Sequence, residues 1–298
     1  MANETMAAQV SGKDGFIAAL DQSGGSTPGA LHLYGIPDSA YSTETEMFTL
    51  MHAMRSRIMT APAFTGTKII AAILFEQTMD REVQGKSVPP FLWEDRRVVP
   101  FVKVDKGLEK ERDGVRLMAP IPSLDALLDR AVKLGVYGTK MRSVINLPSK
   151  EGIAAIVAQQ FELAARIAHH GLMPIVEPEV SINSPDKKGA EAILLAELKR
   201  KLDALPAGQK VMLKLTIPEA PDYYLELINH PHVARVVALS GGYTRDDACN
   251  RLALNHGLIA SFSRALTEGL THLMSDTQFD TTIAESIEQI YRASTVKV

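Results

Sequence analysis

The sequence contains a single cysteine, Cys249, among its 298 residues. One thiol cannot form a disulfide within the chain, and it cannot build a cysteine-rich metal site. The sequence also lacks any run of about 18 apolar residues, which a membrane-spanning helix would need. Its first residues, MANETMAAQVSGKDG, are too polar for a secretory signal. These absences predict a cytoplasmic protein with no membrane partner.

Charge of one sign is not in excess either. The chain carries 32 lysines and arginines against 35 aspartates and glutamates, which gives a formal net charge of −3. Such a balance creates no field over the whole molecule that would attract nucleic acid or anionic lipid. We therefore predict no nucleic-acid partner, and any anion must be bound by a local cluster of lysine and arginine.

The composition, 46% hydrophobic and 22% charged, is that of an ordinary globular protein. A chain of this length fits two medium-sized domains or one large α/β barrel, for which about 250 residues are typical. The apolar runs along the chain favour the barrel. Eight of them recur, at residues 15–21, 68–75, 98–105, 136–141, 172–180, 210–217, 234–240 and 258–263.

These runs are nearly continuous in hydrophobicity, which is typical of parallel strands buried on both faces. Segments with helical spacing lie between them, at residues 46–59, 124–135, 152–171, 189–205 and 279–294. Repeated strand–helix units predict parallel strands with right-handed crossovers. We therefore expect an α/β fold, a single (β/α)8 TIM barrel that spans residues 1–298 as one domain, with a flexible N-terminal segment at residues 1–14.

A doubly wound sheet is the alternative, and it would need a glycine-rich dinucleotide-binding turn after the first strand. The candidate segment DQSGGSTPG, at residues 21–29, lacks the G-x-G-x-x-G spacing. It also has Pro28 where a helix should be running, and proline interrupts a helix. Both features favour the barrel.

Charged residues stand at the carboxyl ends of five of the runs, which is where the active sites of barrels lie. They are Asp21, Lys103, Lys140, Arg142, Glu177, Glu179 and Lys214. Lysine and carboxylate are costly to bury alone, so a shared location would let them compensate each other. A separate ion pair explains any one of these residues equally well, but their common position at one end of the barrel favours an active site.

Amine catalysis is the chemistry that needs such a cluster. A lysine becomes a nucleophile near neutral pH when apolar surroundings or a nearby cation destabilise its ammonium form. Lys214, in VMLKLTI, has the most apolar sequence context of the three lysines and is the candidate nucleophile. Lys140 would supply the neighbouring positive charge, and Glu177 and Asp21 are candidates for proton transfer.

The last two strand ends predict a phosphate site, because barrel enzymes often bind phosphate there. Ser240, Gly241 and Gly242 follow the seventh run, and glycine allows the backbone N–H groups to approach an anion closely. Ser261 and Arg264 follow the eighth run, and a guanidinium can bind phosphate through two hydrogen bonds. For the Ser-Gly-Gly segment alone, a plain turn is the alternative interpretation.

Zinc catalysis is the main alternative to a lysine nucleophile. None of the eight histidines lies at a strand end, and most fall in helical or loop segments. Their spacing offers no set of ligands typical of zinc. We therefore expect no metal and no cofactor.

Eight segments match the motifs of one enzyme family, in family order over nearly the whole chain. They are ALDQSGGSTPGAL (19–31), ILFEQTMDRE (73–82), PFVKVDKGL (100–108), GTKMRS (138–143), PIVEPEV (174–180), MLKLTIP (212–218), LSGGY (239–243) and ASFSRAL (260–266). The sequence thereby resembles the class I, Schiff-base-forming fructose-bisphosphate aldolases, and their short bacterial branch more than the longer animal enzymes. The resemblance implies a metal-independent lyase of glycolysis or gluconeogenesis. Its reaction would be the reversible cleavage of fructose 1,6-bisphosphate into dihydroxyacetone phosphate and glyceraldehyde 3-phosphate.

The resemblance also implies a catalytic role for each matching residue. Lys214 corresponds to the Schiff-base lysine, and Glu177 to the acid/base that assists carbinolamine formation and loss of water. Asp21 corresponds to the residue that takes the hydroxyl proton as the carbon–carbon bond breaks. Lys140 corresponds to a lysine that steers charge beside the imine, and Glu179 to a residue that orients nearby lysines.

Substrate contacts are implied in the same way. The residues that match the family's cradle for the ketose-end phosphate are Ser240, Gly241, Ser261 and Arg264. The residues that match the family's contacts to the far phosphate are Ser26, Lys103 and Arg142. Relatives form tetramers, so the resemblance leaves a homo-oligomer open, although no interface is legible in the sequence.

The chain departs from the animal members at three places. Animal enzymes end in a mobile tail whose tyrosine aids proton exchange at the enamine, whereas Tyr291, the last tyrosine here, falls within the predicted final helix. Gln22 stands where animal members have glutamate, and Ser263 where they have glycine.

Two alternative functions stay open. One is the same chemistry on an epimeric ketose bisphosphate, such as tagatose 1,6-bisphosphate. The other is a non-catalytic barrel that binds sugar phosphates as a scaffold or sensor. A scaffold would be expected to lose the nucleophile or the acid/base, and this sequence has both.

Overall fold

Eight parallel strands close into a barrel in the computed structural model of the protein, which describes residues 2–298. The strands are β1 (Phe16–Leu20), β2 (Ile69–Leu74), β3 (Val99–Lys103), β4 (Gly138–Ile145), β5 (Met173–Val180), β6 (Val211–Thr216), β7 (Val233–Leu239) and β8 (Ile259–Phe262). Each strand pairs with the next, and β8 closes the ring on β1, where Ser261 is in register with Ile17. The predicted (β/α)8 barrel is confirmed, and each apolar run forms one strand.

The first α-helix precedes the first strand, and the other α-helices lie between the strands along the chain or after the last one. They are α1 (Ala2–Gly12), α2 (Thr27–Leu33), α3 (Glu44–Thr60), α4 (Glu76–Met79), α5 (Val88–Pro90), α6 (Leu124–Lys133), α7 (Lys150–His169), α8 (Lys187–Asp203), α9 (Leu225–Ile228), α10 (Arg245–Ala253), α11 (Arg264–Thr267) and α12 (Asp276–Thr295). The five predicted helices correspond to α3, α6, α7, α8 and α12. Within residues 2–298, none of the helices has the length and apolar character needed to cross a membrane.

Three short strands lie outside the ring of eight. Glu82–Val83 and Lys86–Ser87 pair with each other in a separate antiparallel hairpin. Val115–Arg116 pairs antiparallel with the end of β4, where Arg116 is in register with Val144. This last strand extends the sheet above the mouth of the barrel.

Pro28 lies in the first turn of α2 and does not interrupt a helix, contrary to what its position in the sequence indicates. The N–H groups of a first turn have no partner within the helix, so a proline there removes no hydrogen bond. The choice of the barrel therefore rests on the strand pairing and not on this proline.

Alternation of side chains along the strands gives the barrel an apolar lower layer and a polar upper layer. Ile175 on β5 belongs to the cluster that fills the barrel interior, and Glu177 follows it two residues later. On β6, Met212 belongs to the same cluster and Lys214 follows it. Since side chains two residues apart share a face, each polar residue stands directly above an apolar one.

The outer helices pack on the barrel through one apolar stripe each. In α6 the buried residues are Leu124, Leu127, Leu128 and Ala131, which recur with helical spacing. This helix and α7 each end shortly before a glycine of positive φ, Gly135 at 76° and Gly171 at 77°. Glycine adopts that conformation without steric cost, which explains why both helices end there.

Helix α1 (Ala2–Gly12) covers the amino-terminal end of the barrel and takes up most of the segment expected to be flexible, residues 1–14, of which Met1 lies outside the described residues. Met6 and Val10, one turn apart, are buried and join the interior cluster. Gln9 Nε2 donates hydrogen bonds of 2.8 Å to the carbonyl oxygens of Ile70 and Arg97, close to the starts of β2 and β3. Met6 and Val10 are the only buried side chains among residues 3–12 of this helix, so hydrophobicity alone gives too weak a signal to predict it.

We expect Val10→Asp to lower the free energy of unfolding by about 3 kcal/mol or more, because it buries a carboxylate without a partner. Ala8→Asp is the matched control, since Ala8 is exposed on the same helix. The control should change stability by less than about 0.5 kcal/mol. Urea unfolding of both variants measures the difference, and equal losses would contradict the packing of Val10 into the barrel.

Candidate functional site

A cavity of about 880 Å³ opens at the carboxyl ends of the barrel strands. Every site residue predicted from the sequence lines this mouth cavity, apart from Gly242. Gly242 lies beside it, since a Cβ built on this glycine would stand 3.6 Å from Arg264 Nη2. The strand ends therefore bring the predicted residues together at one place.

Four ionisable side chains form a continuous row of ion pairs at the centre of the cavity, which we call the charge chain. Lys140 Nζ lies 2.6 Å from Asp21 Oδ2 and 2.9 Å from Glu177 Oε2. The other oxygen of Glu177, Oε1, lies 3.2 Å from Lys214 Nζ. The most exposed of the four side chains, Asp21, has 8% of its surface accessible, so all four are shielded from water.

Each charge in this chain depends on its neighbours, because burial penalises the charged form of every group. Burial raises the pKa of Asp21, but the positive charges of Lys140 and Lys214 outweigh it and hold that pKa well below its usual value. Burial also raises the pKa of Glu177, but the positive charges of the same two lysines outweigh this effect, and the pKa lies below its usual value. Burial lowers the pKa of Lys140, but the carboxylates raise it above its usual value. Asp21, Glu177 and Lys140 are therefore all charged at neutral pH.

The position of Glu177 is set from both sides of its strand. Within the sheet, it is in register with Arg142 on β4. Behind the sheet, Gln160 of α7 accepts a hydrogen bond of 2.8 Å from the Glu177 backbone N–H through its side-chain oxygen. Gln160 is fully buried, so this contact fixes the strand against the helix at the residue that carries the central carboxylate.

Two further ion pairs lie beside the charge chain. Lys103 Nζ lies 2.6 Å from Asp105 Oδ1, and Arg142 Nε lies 2.6 Å from Glu179 Oε2. Glu179 was expected to orient lysines, and the structure instead pairs it with an arginine. It stands one inward position above Glu177 on β5, beyond the level of the lysines, which explains the difference.

The loops after β7 and β8 form the opposite side of the cavity. Gly241 has a φ of 64°, and a Cβ at this position would stand 2.7 Å from Ile182 Cγ2. The loop after β7 therefore requires glycine both for its conformation and for its close approach to the loop after β5. Ser261 is buried, and its hydroxyl has no hydrogen-bond partner within residues 2–298. Such a group can bind an anion without first breaking another contact.

The departures at Gln22 and Ser263 form a single contact, which sequence analysis did not reveal. Gln22 Nε2 donates a 2.7 Å hydrogen bond to Ser263 Oγ, across the seam between the first and last strands. Behind it lies Arg55 of α3, a buried guanidinium that donates to the carbonyl oxygen of Gln22 and, at 2.7 Å, to Thr78 Oγ1. Burial lowers the pKa of Arg55 to about 9, so the side chain stays charged at neutral pH.

Tyr291 lies on α12 and is not among the residues that line the mouth cavity. Lys68 Nζ stands 5.9 Å from the centre of its ring, on the outside of the barrel. No tyrosine of the described residues 2–298 lines the cavity, and none of the His, Cys, Asp and Glu side chains in that range form a group of three placed to hold a metal ion.

Residues 50–193 match the family described as fructose-bisphosphate aldolase class-I. A curated relative, the fructose-bisphosphate aldolase class 1 of Synechocystis sp., is 56% identical over 292 residues, which cover 98% of this chain and 97% of the relative.

Two solved structures share the fold at low sequence identity. A fructose-bisphosphate aldolase from Plasmodium falciparum, crystallised with TRAP and a small-molecule inhibitor, superposes with a TM-score of 0.78 at 19% identity, covering 98% of this chain and 94% of that one. A protein from Corynebacterium glutamicum superposes with a TM-score of 0.55 at 14% identity, covering 98% and 92%. At these identities, both likenesses concern the fold alone.

The charge chain makes the stability of the protein depend on pH. The lowered pKa values of Asp21 and Glu177 stabilise the fold above the ordinary carboxyl pKa of about 4, and this contribution disappears as the pH falls further. In Lys140→Met, burial is no longer offset by Lys140, so the pKa of the two carboxyls should rise. We expect the variant to lose about 3–5 kcal/mol at neutral pH, and less near pH 4.5, where the carboxyls take up protons.

Urea unfolding of the wild type and of Lys140→Met at the two pH values measures this difference. Lys110→Met is the matched control, because Lys110 is exposed and its removal should have no effect at either pH. A loss of stability in Lys140→Met that is independent of pH would contradict the electrostatic role of Lys140.

Proposed function

The chain belongs to the class I fructose-bisphosphate aldolases, and from that premise we propose which of its residues form the imine and which cleave the carbon–carbon bond in the reversible cleavage of fructose 1,6-bisphosphate. The products are dihydroxyacetone phosphate and glyceraldehyde 3-phosphate, and the cytoplasm is the compartment we propose for the reaction. One observation carries the proposal. Glu177 contacts Lys214 with one oxygen and Lys140 with the other, so a single carboxylate links the proposed nucleophile to a fixed positive charge.

The first step we propose is attack of Lys214 Nζ on the ketone carbon. A new carbon–nitrogen bond forms, and the carbonyl oxygen becomes a hydroxyl group. Glu177 Oε1, 3.2 Å from Nζ, is placed to carry two protons in turn from the Lys214 nitrogen. Removal of the first converts the ammonium group into the attacking amine, and this proton goes to the carbonyl oxygen. The second leaves the nitrogen after the carbon–nitrogen bond has formed, and it goes to the hydroxyl group that departs as water. Water leaves, and a protonated imine remains on Lys214.

The second step is cleavage of the carbon–carbon bond. Asp21, ionised because Lys140 and Lys214 lower its pKa, is placed to take the proton of the substrate hydroxyl next to that bond. As the aldehyde forms and leaves, the bonding electrons move into the imine, which becomes an enamine. Lys140 contacts both Asp21 and Glu177, so it compensates whichever carboxylate carries the charge as protons move.

Substrate position is set by two groups of residues around the mouth. For the ketose-end phosphate we propose Ser240, Gly241, Ser261 and Arg264, with Gly242 beside them. For the far phosphate we propose Ser26, Lys103 and Arg142. Two anchored phosphates would hold the reacting bond above Lys214, and positioning of this kind can lower a barrier by about 7–11 kcal/mol.

Trapping of the imine tests the nucleophile. We expect borohydride reduction of the protein with dihydroxyacetone phosphate, in the presence of a metal chelator, to add one covalent adduct, located on Lys214 by peptide mass spectrometry. In Lys214→Met the adduct should be absent, and kcat should fall at least about a thousandfold, because no other amine replaces the covalent step.

Lys210→Met is the matched control, since Lys210 is an exposed lysine just before the same strand. It should keep both adduct and turnover. An adduct on Lys140, or activity that the chelator abolishes, would contradict the assignment of Lys214.

Gly241→Ala tests the phosphate cradle. The new methyl group would clash with Ile182 and impose a φ of 64° on alanine, so the loop must move away from the bound phosphate. We expect KM for fructose 1,6-bisphosphate to rise about tenfold, the effect of losing one hydrogen bond to a charged group.

Gly208→Ala separates backbone strain from the cradle. Gly208 has a φ of 82° but no atom within 4 Å of a built Cβ, and it is not among the residues that line the cavity. Alanine there should lower stability and leave KM unchanged. A wild-type KM in Gly241→Ala would remove the Ser-Gly-Gly loop from the phosphate site.

A further inference from the structure

The mouth cavity contains more positive than negative side chains. Six lysines and arginines line it, against four carboxylates. The six are Lys103, Arg116, Lys140, Arg142, Lys214 and Arg264. A net positive cavity is suited to an anion, and the identity of the uncompensated cations indicates where that anion would be bound.

Four of the six cations already contact a carboxylate of the cavity. Lys140 and Lys214 belong to the charge chain, Lys103 pairs with Asp105, and Arg142 pairs with Glu179. Within residues 2–298, Arg264 and Arg116 have no carboxylate partner at ion-pair distance. The one hydrogen bond that the Arg116 side chain donates there, of 2.9 Å from Nε, goes to the neutral carbonyl oxygen of Glu109.

The two unpaired arginines lie on opposite sides of the mouth. Arg264 begins the helix after β8, next to Ser261. Arg116 lies on the short strand that pairs with the end of β4, in register with Val144. Since β4 and β8 are diametrically opposed in a ring of eight, the charge chain stands between these two guanidinium groups.

Arg116 is held in place by an ordered hairpin that spans residues 108–118. Its turn contains Asp113 and Gly114 at φ values of 52° and 70°, the conformation typical of a two-residue hairpin turn. Backbone hydrogen bonds join Arg112 and Val115 in both directions, at 2.9 and 3.0 Å.

A second contact fixes the far end of this hairpin. The side chain of Gln159, on α7, accepts a hydrogen bond from the Met118 N–H and donates one to the Met118 carbonyl oxygen, both of 3.0 Å. The Arg116 side chain therefore projects from a backbone tied to α7 as well as to β4. A guanidinium on such a support needs little reorganisation to bind an anion.

We propose that Arg116 binds the phosphate at the aldehyde end of the substrate and thereby makes the enzyme selective for ketose bisphosphates over ketose 1-phosphates. This inference rests on the proposed function and extends it. Lys103 and Arg142 share their charge with carboxylates, so Arg116 supplies the uncompensated charge on that side, as Arg264 does on the other. Its planar fork can donate two hydrogen bonds to one phosphate.

Comparison of two substrates tests the proposal. In Arg116→Gln, KM for fructose 1,6-bisphosphate should rise about 10- to 100-fold, the effect of losing charge-assisted hydrogen bonds. The kinetics with fructose 1-phosphate, which has no phosphate at the aldehyde end, should stay within about twofold of the wild type, because the lost contact does not exist for this substrate.

Arg112→Gln is the matched control. Arg112 lies on the same hairpin with a side chain that is 90% exposed, and it is not among the residues that line the cavity. This variant removes the same charge from the same hairpin, so it should leave both substrates unaffected. If Arg112→Gln raised KM for fructose 1,6-bisphosphate as much as Arg116→Gln does, the effect would come from the loss of any positive charge on the hairpin. That result would overturn the proposal.

Each of the remaining outcomes also supports or overturns the role of Arg116. Unchanged kinetics in Arg116→Gln, or equal losses with both substrates, would overturn the role of Arg116 in phosphate binding. If the wild type cleaved neither substrate, the proposed function itself would fail. Calorimetric binding of hexitol 1,6-bisphosphate, which has no carbonyl group, would then test Arg116 alone: weaker binding by Arg116→Gln supports the inference, and equal binding overturns it.

Discussion

The contact of Lys140 with two carboxylates is the interaction on which the site depends. Asp21 and Glu177 are buried, and without a cation between them the protein would hold two like charges away from water. Because Lys140 bridges them, both stay ionised, and Glu177 keeps a free oxygen for Lys214. The neighbouring ion pairs then lie beside a group of four side chains whose charges already compensate one another. The proposed catalytic residues and the stability of the folded chain thus depend on the same few contacts.

Alternation along the strands keeps this centre apart from the core. Apolar side chains such as Ile175 and Met212 fill the barrel from below, and helix α1 covers it at the amino-terminal end. The polar layer begins two residues further along each strand. The charges are therefore supported by rigid packing while lying within reach of a substrate at the mouth.

Much of this arrangement follows from the sequence, because parallel strands buried on both faces leave long apolar runs and a charge at the end of such a run is conspicuous. What the sequence does not contain is register. Glu179 pairs with Arg142 and not with a lysine because β5 is placed against β4 at one particular offset. The Gln22–Ser263 contact needs the closure of β8 on β1, which joins residues far apart in the chain. Arg116 lies on a hairpin outside the eight runs, although its Asp-Gly turn is a recognisable signal.

The closure of the last strand on the first has a consequence for synthesis of the chain. Asp21, Lys140, Glu177 and Lys214 all leave the ribosome before β8 (Ile259–Phe262), the strand that completes the wall around them. Until β8 is synthesised, the other seven strands can form at most an open sheet, in which β1 and β7 each lack the partner that β8 supplies. Exposed strand edges and apolar surface promote aggregation, so pairing of β8 with both neighbours is the step that removes this hazard.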